Sequence, residues 1–166
     1  MSPLTRITSA LAAGALSLLS LAGCDEQRIR ELEEDVSTEA DVRARFGEPE
    51  RIWPEQDGGH TLEYNRQPAG HQNYMITIGT GGKMTALRQV LAPHNFEQVQ
   101  PGMEQEAVRR MFGKPAQRMT YALKQETDWD WNWIDPPNRP MVFTVTFGAD
   151  GRVKRSGSVE KLPDGP

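Results

Sequence analysis

The chain repeats itself. Phe46-Gly47-Glu48-Pro49 returns as Phe112-Gly113-Lys114-Pro115 at an offset of 66 positions, and the same offset lays Val42 on Val108 and Arg43 on Arg109. Further on, Ile78-Gly79-Thr80-Gly81-Gly82-Lys83-Met84 matches Phe147-Gly148-Ala149-Asp150-Gly151-Arg152-Val153 at an offset of 69. That second offset also places Leu62 on Trp131, Tyr64 on Trp133, Tyr74 on Phe143, Ile76 on Val145 and Val90 on Val159. One three-residue insertion between Pro115 and Trp129 reconciles the two offsets. A register shared through four segments is the mark of a duplicated supersecondary unit, and it restricts the chain to folds built from two such copies.

Each copy reads in the same order. A short helix is expected over 39–45 and again over 104–111, with Val42 and Phe46, or Val108 and Phe112, one turn apart on an apolar stripe. Ser37 or Thr38 is a fitting N-cap for the first. Gly47 and Gly113 stand where a helix ends in a left-handed residue, and Pro49 and Pro115 prevent its continuation. Phe46, Gly47, Pro49, Phe112, Gly113 and Pro115 are therefore read as structural turns. Beyond them apolar residues alternate: Leu62 and Tyr64 against Glu63 and Asn65, and Tyr74, Ile76 and Ile78 against Met75, Thr77 and Gly79. In the second copy Trp129, Trp131 and Trp133 alternate with Asp128, Asp130 and Asn132, and Phe143, Val145 and Phe147 with Val142, Thr144 and Thr146. Period two means half-buried antiparallel strands. Gly81-Gly82 and Asp150-Gly151 mark tight turns into third strands over 84–90 and 153–159. The fold class is α+β: two tandem helix–helix–three-stranded antiparallel sheet units, with a further strand suggested near 51–53.

The amino terminus fixes which residues belong to those units. Residues 7–21 are apolar or small behind the positive charges of Met1 and Arg6. About 15 such residues are too few for a transmembrane helix, which needs about 20, and suit the core of a signal peptide. Leu21-Ala22-Gly23-Cys24 follows, and it resembles the lipobox at which bacterial lipoproteins are cleaved and acylated. Cys24, the single cysteine, would carry a covalent diacylglycerol and tether the protein to a membrane. The organisation expected is a signal peptide over 1–23, a first unit with an N-terminal tether over 24–92, a second unit over 93–162 and a tail over 163–166. With Cys24 lipidated, no thiol remains for a disulfide, a metal or a nucleophile.

The rest of the composition argues against chemistry. A formal net charge of −4 with no basic cluster speaks against nucleic acid as a partner. His60, His71 and His94 are isolated from one another, and no metal-binding, GxSxG or Walker spacing is present. Asp128, Asp130 and Asp135 read as a solvated strand face. No enzyme activity, metal, further cofactor or small-molecule substrate is therefore expected. The aromatic row has two readings. Tyr64, Trp129, Trp131 and Trp133 either cover the helices of their own units as core, or partly line a concave surface where a protein docks. In the second reading the loop Asp135-Pro136-Pro137-Asn138-Arg139-Pro140 forms the rim, with Arg139 among the contacts.

Pro101-Gly102-Met103, the two FGxP turns, Trp131-Asn132-Trp133 and the run from Phe147 to Val153 together resemble the SmpA/OmlA lipoproteins, known as BamE in the outer-membrane β-barrel assembly machine. Ordinary members carry one such unit; this chain resembles a tandem variant, with Val36-Ser37-Thr38 in the first copy where Pro-Gly-Met would stand. A two-unit plan is also similar to that of the secreted β-lactamase-inhibitor proteins. The first resemblance implies a lipid-anchored, non-catalytic scaffold or accessory factor in outer-membrane protein assembly or envelope integrity, with the assembly machinery as protein partner. The second implies a binding or inhibitory module for a periplasmic protein. Both place the folded part in the periplasm. The family's usual location favours the outer membrane, while Asp25 directly after Cys24 resembles an inner-membrane retention signal.

Overall fold

The computed structural model describes residues 24–162, so the expected signal peptide and the tail over 163–166 lie outside the described residues. Among the described residues the chain is α+β, with two four-stranded antiparallel sheets. The first half runs α1 (Cys24–Arg30), α2 (Glu39–Phe46), β1 (Arg51–Pro54), β2 (His60–Asn65), β3 (Asn73–Ile78) and β4 (Met84–Gln89). The second runs α3 (Pro93–Phe96), α4 (Gln105–Phe112), β5 (Gln117–Tyr121), β6 (Glu126–Asp135), β7 (Arg139–Phe147) and β8 (Val153–Glu160). The strands of each sheet pair in chain order, β1-β2-β3-β4 and β5-β6-β7-β8.

The three-stranded sheets expected from sequence are corrected to four. β1 is the further strand suggested near 51–53, and β5 is its counterpart in the second half. β5 escapes a reading by periodicity because all five of its residues are exposed. Only the partner β6 makes it a strand, through the register from Gln117 opposite Asp130 to Tyr121 opposite Glu126.

The repeat is visible in fine detail. A break in register falls between Thr77 and Ile78 in β3 and between Thr146 and Phe147 in β7, at the 69-residue offset. Thr38 bridges Lys83 as Glu104 bridges Arg152, so each long helix is pinned at its start to the turn before the last strand. The helix caps follow local chemistry. Thr38, not Ser37, caps α2: its hydroxyl accepts from the Asp41 N–H, and the Asp41 carboxylate accepts from the Thr38 N–H at 2.9 Å. Gly47 and Gly113 end α2 and α4 with φ of 81° and 76°, and each N–H closes on the carbonyl of Arg43 or Arg109. Their ψ values, −159° and −168°, correct the left-handed helical cap expected; this extended region at positive φ is essentially reserved for glycine.

Two cores form. In the first, Val42 and Phe46 of α2 pack with Leu62, Tyr64, Tyr74, Ile76, Ile78 and Met84. In the second, Phe96, Val99, Val108 and Phe112 pack with Trp129, Trp131, Trp133, Phe143, Val145 and Phe147. Met75, Val90 and Leu91 belong to this second core although they come from the first half. The helix pair α3–α4 is thus pressed between both sheets: Val108 and Phe112 serve the second core while Arg109 and Arg110 engage residues of the first half.

Candidate functional site

The seam between the two halves begins with a strand face that alternation assigns to water. Glu63 on β2 points away from Leu62 and Tyr64, yet it is 0 % exposed. The second half covers it. Its carboxylate accepts from the Trp53 indole N–H at 3.1 Å, from Arg109 Nε at 3.4 Å and Nη2 at 3.2 Å, and from the Lys114 backbone N–H at 2.9 Å. A buried charge is tolerable only when paired and hydrogen-bonded, and here donors from β1, α4 and the turn after α4 converge on one carboxylate.

Next to it on β3, buried Asn73 donates from Nδ2 to the Phe112 carbonyl at 2.7 Å, while its Oδ1 accepts from the Arg66 N–H at 3.0 Å. Gly113 lies between these two side chains. A Cβ there would stand 3.1 Å from Asn73 Nδ2 and 3.5 Å from Glu63 Cγ, whereas at Gly47 it would meet nothing within 4 Å. The same motif is therefore a helix stop in one copy and a helix stop plus a contact surface in the other.

Two further links flank the carboxylate. The Gln67 side chain donates to the Asn132 carbonyl at 2.8 Å and accepts from the Asn132 N–H at 3.0 Å, so one amide satisfies the backbone of β6 just beyond the end of β5. Asn132 Nδ2 in turn donates to the Pro68 carbonyl at 3.2 Å. On the opposite flank Arg110 donates to the Pro54 carbonyl at 2.6 Å and pairs with Glu55 at 3.1 Å, and Lys114 pairs with Glu50 at 2.8 Å. Glu63, Asn73, Gln67 and Asn132 were not singled out by sequence reasoning. The available signal was Trp53 and Met75, large apolar residues on the supposedly wet face.

Beside Glu63 the seam opens into a groove of about 310 Å³ lined by Glu55, Thr61, Met75, Arg88, Val90, Asn95, Gln98, Arg110 and Met111. Met75 and Val90 are buried and give an apolar floor; Arg88, Gln98 and Arg110 are exposed at its rim. Most of the lining polar groups are engaged: Thr61 donates to Glu55 at 2.7 Å, Asn95 Nδ2 to the Val90 carbonyl at 3.0 Å and Gln98 Nε2 to the His94 carbonyl at 3.2 Å. The Arg88 guanidinium has no ion-pair or hydrogen-bond partner among the described residues.

The residues expected to contact a partner are elsewhere. Tyr64, Trp129, Trp131 and Trp133 are all at most 5 % exposed and line the two cores. Of the two readings of this row, the structure places the side chains in the core, which corrects the docking surface assigned to them: a partner could reach them only by opening the fold. Two carry a structural bond. The Tyr64 hydroxyl donates to the Gly47 carbonyl at 3.0 Å, and the Trp131 indole to the Gly113 carbonyl at 3.1 Å, so each ties a strand to its own FGxP turn. Burial pushes the Tyr64 phenol up to about 12, keeping it a donor. Trp133 packs edge-on against Phe96, and its indole N–H is buried without a partner. Arg139 is exposed and paired with Asp135. Cys24 begins α1.

Several other charged groups form structural pairs. Asp128 accepts from Thr146 and Asp130 from Thr144, both at 2.6 Å, across the outer face of the second sheet. Glu126 accepts from Arg155 at 2.8 Å and Lys154 at 2.7 Å, and these bonds hold its carboxyl down to about 2. His60 meets Glu39 at 2.9 Å, while His71 and His94 are exposed. Among the described residues no group of three or more His, Cys, Asp or Glu is placed to hold a metal ion. Nor is any described helix long and apolar enough to cross a membrane.

No family model matches the chain, and no curated protein matches its sequence. Solved structures do align with it. A protein assigned as the osmotically inducible lipoprotein OsmE is 22 % identical over 43 % of this chain and 75 % of its own, with a TM-score of 0.38. A DUF4309 family protein, YjgB, from Bacillus subtilis is 20 % identical over 81 % of this chain and 86 % of its own, at 0.33. A protein assigned as a β-lactamase inhibitor from Streptococcus mutans is 9 % identical over 82 % of this chain and 98 % of its own, at 0.32.

Proposed function

We propose that the chain is a lipid-anchored, non-catalytic protein of the bacterial envelope that presents a two-unit protein-binding body to the periplasm. Its signal peptide would span 1–23 and its units 24–92 and 93–162. The observation that carries this reading is Leu21-Ala22-Gly23-Cys24 directly ahead of the folded region: an acylated Cys24 would hold everything after it at a membrane surface. The seam supports the second half of the reading. Glu63, Asn73 and Gln67 spend their polar groups joining the halves, as expected of a scaffold whose shape is what it offers a partner.

In the favoured form the partner belongs to the outer-membrane assembly machinery, on the likeness of the FGxP and Pro101-Gly102-Met103 motifs to the SmpA/OmlA lipoproteins. The other form, a binding or inhibitory module for a soluble periplasmic protein, draws on the two-unit plan. Affinity capture of the tagged chain from detergent-solubilised envelope separates them: assembly components favour the first and a soluble enzyme the second. The anchor is tested by mass spectrometry and sucrose-gradient fractionation. The wild type should carry an acyl mass on Cys24 and sediment with membrane, preferentially the outer one. Cys24→Ala should lose the acyl mass and leave the membrane fractions. An unmodified wild type in the soluble fraction would sink the proposal.

A further inference from the structure

The groove beside Glu63 has a chemical character that no part of the fold uses. Its volume, about 310 Å³, lies at the small end of the range of about 300–1,000 Å³ typical of ligand sites. It is walled by both halves: Thr61, Met75 and Arg88 come from strands of the first sheet, Asn95 from α3, and Arg110 and Met111 from α4. The charges within it are unbalanced. Glu55 is matched by Arg110, whereas the guanidinium of Arg88 is left over.

We propose that this groove binds an extended peptide segment of a partner protein, with a single carboxylate on Arg88 and a neighbouring aliphatic side chain on the methionine floor. The proposal rests on the reading of the chain as a protein-binding module. Guanidinium offers a planar fork of donors that matches a carboxylate with two parallel bonds, and Arg88 has that fork free. Met75 and Met111 are unbranched and polarisable, and such side chains adapt to apolar groups of differing shape. Asn95 and Gln98 each donate to a backbone carbonyl of their own chain, which leaves their amide oxygens as acceptors for peptide N–H groups. The ligand is singly charged because the site is: a doubly charged phosphate would meet one free guanidinium with the Glu55 carboxylate close by.

The test is a titration of the full chain in detergent, labelled with ¹³C at the methionine methyls and observed by NMR. The probe is the tetrapeptide acetyl-Ala-Leu-Glu-Ala-amide; acetyl-Ala-Leu-Gln-Ala-amide is its uncharged control. The glutamate peptide should shift the methyl signals of Met75 and Met111 saturably. Its affinity should exceed that of the glutamine peptide by at least about tenfold, the worth of one charge-assisted pair. Arg88→Glu removes no hydrogen bond or ion pair of the free protein, so it should leave the unfolding midpoint nearly unchanged and abolish the shifts. No saturable shift, equal binding of the two peptides, binding undiminished by Arg88→Glu, or equal shifts produced by inorganic phosphate alone would each overturn the proposal. If the titration fails while envelope capture returns a partner, the groove assignment falls and the binding function stands. If the titration succeeds and capture returns nothing, the groove assignment stands without it.

Discussion

At the scale of single residues, the aromatic row separates two tryptophans that sequence alone treats alike. Trp131 and Trp133 alternate on the same strand and are both buried, but only Trp131 finds an acceptor for its indole, the carbonyl of Gly113. A buried donor without a partner forfeits its hydration and gains nothing in return, at about 1–3 kcal/mol. Trp131→Phe should therefore cost more than Trp133→Phe, although both lose similar volume. We expect about 3 kcal/mol for the first, from the cavity and the orphaned Gly113 carbonyl, and at least about 1 kcal/mol less for the second. Chemical denaturation of the two variants measures the gap, and equal costs would refute this account. The repeat aligns Tyr64 with Trp133, yet Tyr64 does the work of Trp131 in bonding the carbonyl of its FGxP glycine. Sequence alignment carries the backbone register faithfully. It does not say which side chain reaches a given carbonyl, because that depends on side-chain length and tilt.

At the scale of elements, what was legible was what is locally determined. The helix start at Thr38, the stops at Gly47 and Gly113 and the tight turns before β4 and β8 each follow from chemistry within a few residues. β5 was not legible, because its exposed residues carry no alternation and only β6 defines it. The fate of Gly113 was half legible: the helix stop could be read, its ψ and the crowding by Asn73 and Glu63 could not. That difference is measurable. Alanine at either glycine must hold a positive φ, at about 1–2 kcal/mol, but only Gly113→Ala also pushes on the seam. We expect its total to exceed that of Gly47→Ala by at least about 1 kcal/mol, and comparable midpoint shifts in urea would argue that the seam yields freely. The second sheet offers a test by pH. Bonds from Arg155 and Lys154 depress the Glu126 carboxyl from 4.5 to about 2, so its ionised form favours the folded state. That contribution is fully present above about pH 4.5 and lost as pH falls through about 2. The stability difference between wild type and Glu126→Gln should be largest near neutrality and shrink across that window in thermal melts. A difference constant with pH would mean that the cross-strand pairs lend nothing to β6 and β8.

At the scale of the whole molecule, the question is what makes two copies of one unit behave as one body. Hydrophobic contact contributes, since Met75, Val90 and Leu91 extend the second core into the first half. Direction and register come from Glu63. Its partners Arg109 and Lys114 belong to the second half, Trp53 to the first, and no other described carboxylate is fully buried. The equivalent position in the second sheet is Asn132, whose neutral amide donates to the Pro68 carbonyl of the first half and accepts from Lys161. Glu63→Gln keeps the shape and removes the charge, leaving the partly buried Arg109 without its counter-ion. Breaking a buried pair in this way costs about 3–5 kcal/mol. Because the loss falls on the joint and not within either core, it should also uncouple the halves. Trp129, Trp131 and Trp133 make fluorescence a reporter dominated by the second half, while far-UV circular dichroism sees both. In the wild type the two signals should trace one urea transition, as cooperative unfolding requires. In Glu63→Gln the circular dichroism should acquire a separate step that fluorescence follows only weakly. Coincident transitions in the variant, with a loss below about 1 kcal/mol, would show that the apolar contacts alone join the halves and that the buried carboxylate is incidental.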